Sequence, residues 1–139
     1  MDLSAVLAEL ETRLKTITGL RTSVGFSDKI NAPEAVVLPP DTIRFDGTYG
    51  RGMDYYDDVQ VVLAVGRPNP RSALAAIAPY LAGSGSKSIK AKLDDRPGSG
   101  YASCSTVTVE RAELDDTAQL GGATFLAAIF HINITGPGA

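Results

Sequence analysis

Cysteine and histidine each occur once in these 139 residues. A single thiol can neither close an internal disulfide nor build a thiolate metal site. Ser103 and Ser105 flank Cys104 without forming any local signature of a thiol enzyme. His131 stands on the polar side of an alternating run, and the sequence supplies no orienting acid and nucleophile to go with it. Both residues therefore read as structural, and a reducing compartment fits the cysteine usage. Basic charge is also scarce: 13 Lys and Arg against 16 Asp and Glu give a net charge of −3 and a pI near 5.0, with no basic run. Free-standing nucleic-acid binding needs a basic field, so it is disfavoured. Long apolar runs are missing as well. The longest, residues 123–130, is far short of the roughly 20 residues a membrane helix needs, and MDLSAVLAEL lacks the basic segment of a secretory signal. The expectation is a soluble intracellular protein of one domain, with 44% hydrophobic and 21% charged residues.

The patterning is organised around residues 57–65, DDVQVVLAV, where Val59, Val61, Leu63 and Val65 alternate with Asp58, Gln60, Val62 and Ala64. This period of two predicts a strand with one apolar face. A shorter run at 42–46 precedes the glycine-rich GTYGRGMDYY, so 42–66 reads as a long hairpin with its tip at 47–56. In residues 2–18, Leu3, Val6, Leu7, Leu10, Leu14 and Ile17 make a helical stripe. Asp2 is placed to cap it and Gly19 to end it, with Glu9–Arg13 and Glu11–Lys15 as ion pairs on the outer side. Residues 20–26 and 35–38 read as short strands, and Pro39 and Pro40, lacking N–H groups, should stop pairing there. Asn69-Pro70 opens a helix carrying Leu74, Ile77 and Leu81, and Ser86 is expected to cap a second one through Leu93. Residues 101–135 read as a closing hairpin with a turn at DDTAQLGG. With no βαβ succession, the class is α+β: an antiparallel or mixed sheet with an N-terminal helix and a helix pair (69–93) on one face.

Few constellations carry chemistry. Gly83-Ser84-Gly85-Ser86-Lys87-Ser88 imitates a phosphate loop, but Ser86 stands where glycine must precede the lysine, and the stretch follows a helix. Gly47, Gly50 and Gly52 do not fit a dinucleotide fingerprint. The doublets Asp57-Asp58, Asp94-Asp95 and Asp115-Asp116 lack calcium-loop spacing and read as solvated acids at turns and strand ends. Residues that suit a partner contact are Tyr49, Arg51, Met53, Tyr55 and Tyr56 on the 47–56 tip, since Tyr, Met and Arg are enriched at interface cores. Arg67 and Arg71, in the turn before the helix pair, or the last hairpin, offer a second surface. No catalytic, cofactor-binding or metal-binding residue is assigned.

Four stretches together resemble one family: LKTITGLR closing the first helix, PEAVVLPPDTIRFDGTYGRGMD, the helix pair ALAAIAPYLAGSGSKSIKAKL, and ATFLAAIFHINITG. In order and spacing they look like the tail terminator (tail completion) proteins of long-tailed bacteriophages of actinobacterial hosts, over most of the chain. The resemblance implies a non-enzymatic virion protein, made in the host cytoplasm, forming a hexameric ring at the head-proximal end of the tail. Its implied partners are the tail tube protein, whose polymerisation it stops, and the head-tail connector or stopper protein. Genomic DNA passes through the channel without specific binding, which suits an acidic domain. A closed ring needs two different contact patches on each subunit, and the surfaces above are candidates. Another neck protein, such as a head-completion stopper, is the nearest alternative; a small cytoplasmic ligand-binding or enzyme domain is the alternative outside the class.

Overall fold

A computed structural model of the chain describes residues 1–25, 32–45, 52–66, 70–94, 100–120 and 123–137. The elements in order are α1 (Leu3–Leu14), β1 (Arg21–Val24), β2 (Glu34–Arg44), β3 (Met53–Gly66), α2 (Pro70–Leu81), α3 (Ile89–Leu93), β4 (Thr106–Leu120) and β5 (Ala123–Pro137). The strands form one mixed five-stranded sheet in the order β1-β2-β3-β5-β4. Only β1 and β2 run parallel; β3 pairs antiparallel with β2 on one side and β5 on the other. The fold is α+β, as the patterning predicts.

The apolar alternation of β3 determines the layering. Val59, Val61 and Leu63 are fully buried and face Leu126, Ala128, Phe130, Ile132 and Ile134 of the neighbouring regions of β5 and the helices above. Val6, Leu7, Leu10 and Leu14 of α1, Ile77 and Tyr80 of α2, and Ile89 and Leu93 of α3 close the same cluster, so all three helices cover one face. Among the described residues the opposite face holds a small apolar cluster of Val36, Ala64 and Phe125, flanked by Ala32 and Leu38.

Several sequence expectations change. The first helix stops at Leu14, because the next amides turn back three residues, Thr16 N to Arg13 O and Ile17 N to Leu14 O. Gly19, with φ +82°, ends this tightened turn, and Ile17 still reaches the core. Asp2 caps the helix by accepting from Ser4 N at 3.0 Å. The Glu11–Lys15 pair forms at 2.9 Å. Glu9 accepts from the backbone N–H groups of Ala102 (3.0 Å) and Ser103 (2.9 Å) and from the Ser103 hydroxyl, with the Arg13 charge also acting on it. Arg13 lies 3.5 Å from the Tyr101 ring centroid and donates to Gly100 O at 2.6 Å. Together these bonds latch α1 onto the 100–103 segment. Burial opposes the Glu9 charge, and the bonds from Ser103 and Ala102 outweigh it, holding its carboxyl below the ordinary value.

Pro39 and Pro40 do not end pairing; β2 runs through them to Arg44. Its register against β3 shifts between Val37 and Pro40, and β1 pairs with it only as far as Val37, so among the described residues the prolines occupy a bulge on an edge without a partner strand. The second helix of the pair starts at Ile89, capped by Ser88 rather than Ser86: the buried Ser88 hydroxyl accepts from Ala91 N at 3.1 Å and donates to Ala82 O. The expected turn at DDTAQLGG is mostly strand, since β4 continues to Leu120 after an irregularity between Asp115 and Ala118.

Truncating the centre of this core tests the layering. Leu63→Ala is expected to lower stability by about 2–5 kcal/mol, the usual cost of a deleted core leucine, measured by chemical denaturation. Val61→Asp is expected to abolish folding, read as loss of the circular dichroism signal of the soluble protein; soluble, folded Val61→Asp protein would show that β3 is not the core strand.

Candidate functional site

The residues expected at a partner surface divide. Tyr49 and Arg51 of the tip, and Arg67 of the turn, lie outside the described residues. Met53, Tyr55 and Tyr56 belong to β3 itself rather than to a loop. Successive strand residues point to opposite faces, and the two tyrosines follow that rule. Tyr56 is 4% exposed in the core, its hydroxyl 3.5 Å from the Met1 carbonyl, and burial raises its pKa, aided by nearby Asp54. It is a core residue, which corrects its expected place at an interface. Tyr55 is half-buried on the open face, with the Arg44 guanidinium 4.6 Å from its ring centroid. Arg44 also bonds Asp57 at 2.6 Å, and that carboxylate raises its pKa. Met53 is half-buried opposite Pro137. Arg71 is exposed on the first turn of α2.

The sheet gathers a second set that the sequence does not reveal. Three register irregularities adjoin one transverse row, Pro40–Val59–Ile132–Val109: between Val37 and Pro40 in β2, Tyr56 and Val59 in β3, and Val109 and Arg111 in β4. Bulges re-aim side chains, and here they turn polar groups together on the open face. Asp58 takes φ +58°, a left-handed conformation that Asp tolerates better than most residues. Its amide donates to Asn133 Oδ1 at 3.2 Å, and Asn133 Nδ2 donates to Glu110 Oε2 at 2.9 Å, so one carboxamide ties the β3 bulge to the β4 bulge. The Asp58 carboxylate bonds His131 Nδ1 and accepts from Gln60 Nε2 at 3.3 Å. The His131 bond, outweighing burial and reinforced by Gln60, holds the Asp58 carboxyl below its ordinary value.

His131 is 6% exposed although none of the described helices covers this face. Nδ1 bonds the Asp58 carboxylate, while Nε2 is buried without a hydrogen bond, 3.3 Å from a Glu113 carboxylate oxygen. A general base needs its free nitrogen open to a substrate proton, and this one is enclosed. The ring is held as a strut between β3 and β4. Beside it, Leu38, Pro39, Pro40, Asp41, Asp58 and Gln60 line a shallow cleft of about 380 Å³. Among the described residues, no group of three or more His, Cys, Asp and Glu is placed to hold a metal ion. The acid doublets are not simply solvated: Asp57 pairs with Arg44, Asp58 with His131, and Asp94 accepts from Lys90 and from Val109 N at 2.7 Å. Glu34, a further buried acid on β2, has its carboxyl pushed up by burial, with Arg21 opposing.

No protein-family model matches the sequence, and no curated protein matches it. Among the described residues, no helix is long and apolar enough to cross a membrane.

The Asp58–His131 bond sets a pH dependence. A carboxyl held below its unfolded value of 3.8 contributes stability that is fully present above that pH and is lost as pH falls through the lower folded value. Asp58→Asn keeps a residue that tolerates positive φ and removes only the charge. Its stability loss is expected to be largest at neutral pH and to shrink on acidification below about pH 4, measured by urea titrations across the acid limb. Parallel pH profiles for the two proteins would show that the carboxylate contributes nothing.

Proposed function

We propose that this chain is a structural subunit of a bacteriophage tail, the tail terminator, acting as a ring on the head-proximal end of the tail tube. Four stretches resembling that family supply the reading, and they fall on elements of one layered domain. The observation in the fold that carries it furthest is the placement of exposed apolar side chains on both sides of the sheet. Val24 ends β1, and Phe45, 72% exposed, follows β2; Leu114, 56% exposed, lies on β4 at the opposite edge. A head-to-tail ring requires two different patches that meet each other across every interface, and an apolar group on each edge suits that need. Leu74, exposed on α2, and Tyr55 with Arg44 on the open face add surface for the tube or the head connector. In this reading each ring halts tube growth and offers its far side to the connector, and the virion is where the protein resides.

Electron microscopy of the purified protein mixed with tail tubes of the same phage tests this. The expected result is a ring on one end of each tube, with further tube growth blocked. Phe45→Ser, folded by circular dichroism, is expected to lose capping. If tubes grow on unaffected while filled heads bind the protein, a stopper role replaces this reading; binding to neither overturns a place in the phage neck.

A further inference from the structure

The two edges of the sheet are chemically unequal. On the β2 side, the segment beyond Val37, which no strand of the described residues pairs on its outer edge, carries Pro39 and Pro40, which offer no N–H to an incoming strand. β4, the other edge, runs 15 residues without a proline. Near its start the Asp94 carboxylate accepts the Val109 N–H at 2.7 Å. Beyond that point residues 110–114 are all exposed. An edge strand with unpaired backbone groups is a template for another strand.

We propose that this open edge of β4 pairs antiparallel with the same edge of a second copy, about a two-fold axis through Ala112. The charges along ERAEL select that register. In a two-fold antiparallel pair the outward-pointing amides must match, so some residue always faces its own copy. Centring on Glu110, Arg111, Glu113 or Asp115 sets like charges face to face, and centring on Leu114 sets Glu113 against Asp115. Centring on Ala112 sets Arg111 of each copy opposite Glu113 of the other, giving two cross-strand ion pairs, and opposite charges in facing positions stabilise a sheet where like charges oppose it. Within one copy Arg111 makes exposed contacts, Nε to Glu113 at 3.2 Å and a second to Glu110 at 3.5 Å, which cost little to exchange; Glu113 also stays 3.3 Å from His131 Nε2 on its own subunit. Ala112 meets Ala112 at the axis, so nothing bulky blocks the approach. On the same side Leu114 comes diagonally over the partner's Ala112, covering the apolar group that the subunit leaves exposed on this edge. The occupant is therefore another copy of this chain, recognised by its own charge sequence. The proposal does not rest on the terminator reading, because a two-fold contact closes on itself and builds no ring.

Light scattering of the full chain and disulfide trapping test it. At about 100 µM, where a contact of micromolar strength is filled, the protein is expected to be a dimer. Arg111→Glu, which places acid against acid twice, is expected to raise the dissociation constant at least about tenfold. The double variant Arg111→Glu/Glu113→Arg is expected to restore it. In the same position-specific sense, Ala112→Cys is expected to form an intermolecular disulfide on mild oxidation, since facing residues lie at about 4.5–5.5 Å between Cα atoms. Leu114→Cys, about 13 Å from its copy across the axis, is not. Circular dichroism confirms that each variant is folded; all four positions are exposed. A monomer at that concentration with no Ala112→Cys cross-link overturns the proposal. So does a dimer indifferent to Arg111→Glu, which would place the contact elsewhere, and so do hexameric rings without the Ala112 cross-link, which would support the ring and not the two-fold edge.

Discussion

Everything in this domain depends on β3 being paired along both edges while its alternate side chains are sealed from water. Val59, Val61 and Leu63 have no exposure, and the strand beside them on each side is fixed in register by the same requirement. A slip of one residue would send the whole apolar set to the open face. The helices answer that constraint. α1 lays its leucines over β1 and β2, α2 covers β3, and α3 closes against β4. The Glu9 and Arg13 bonds to residues 100–103 then fasten the first helix to the approach of β4.

Against that rigid centre, the irregular row at Pro40–Val59–Ile132–Val109 is where the sheet departs from its own rule. Extra residues in three strands have to go somewhere, and three of the register shifts share this one level, with others between Ala64 and Gly66 and between Asp115 and Ala118. The Asn133 carboxamide stands in for a missing ladder bond, and the Asp58–His131 pair spans β3 and β5 beneath the Glu113 carboxylate. Buried polar groups need partners, and this cluster supplies nearly all of its own. That self-sufficiency is the physical argument for a strut.

How much was legible follows from the distance over which each feature is encoded. The stripe of α1, capped by Asp2, and the alternation in β3 are local and repeat, so periodicity finds them. Two prolines in a row forbid a ladder only where both edges are paired; β2 keeps going because β1 stops at Val37, a fact of topology that no window of sequence contains. The polar cluster is invisible for the same reason. Asp58, Glu110, Glu113 and His131 come from three strands, and their common face depends on bulges that shift the alternation by one. The single local sign was the doublet Asp57-Asp58, two acids in succession inside a run that otherwise alternates. Tyr55 and Tyr56 give the reverse case: adjacent in sequence, of one type, and sent by the pleat to opposite environments.

The position of β5 bears on how the chain reaches this state. β5 lies between β3 and β4, yet it is the last strand in order. Its pairing with β3 joins residues such as Val61 and Phe130, which lie far apart along the chain. During synthesis, β3 therefore waits with one apolar-flanked edge unpaired until the last strand has emerged. Contacts of such long sequence separation slow folding, and an edge exposed meanwhile is vulnerable to wrong partners. The step most sensitive to temperature, crowding or chaperone supply is thus the late insertion of β5, and not the formation of the helices that come before it.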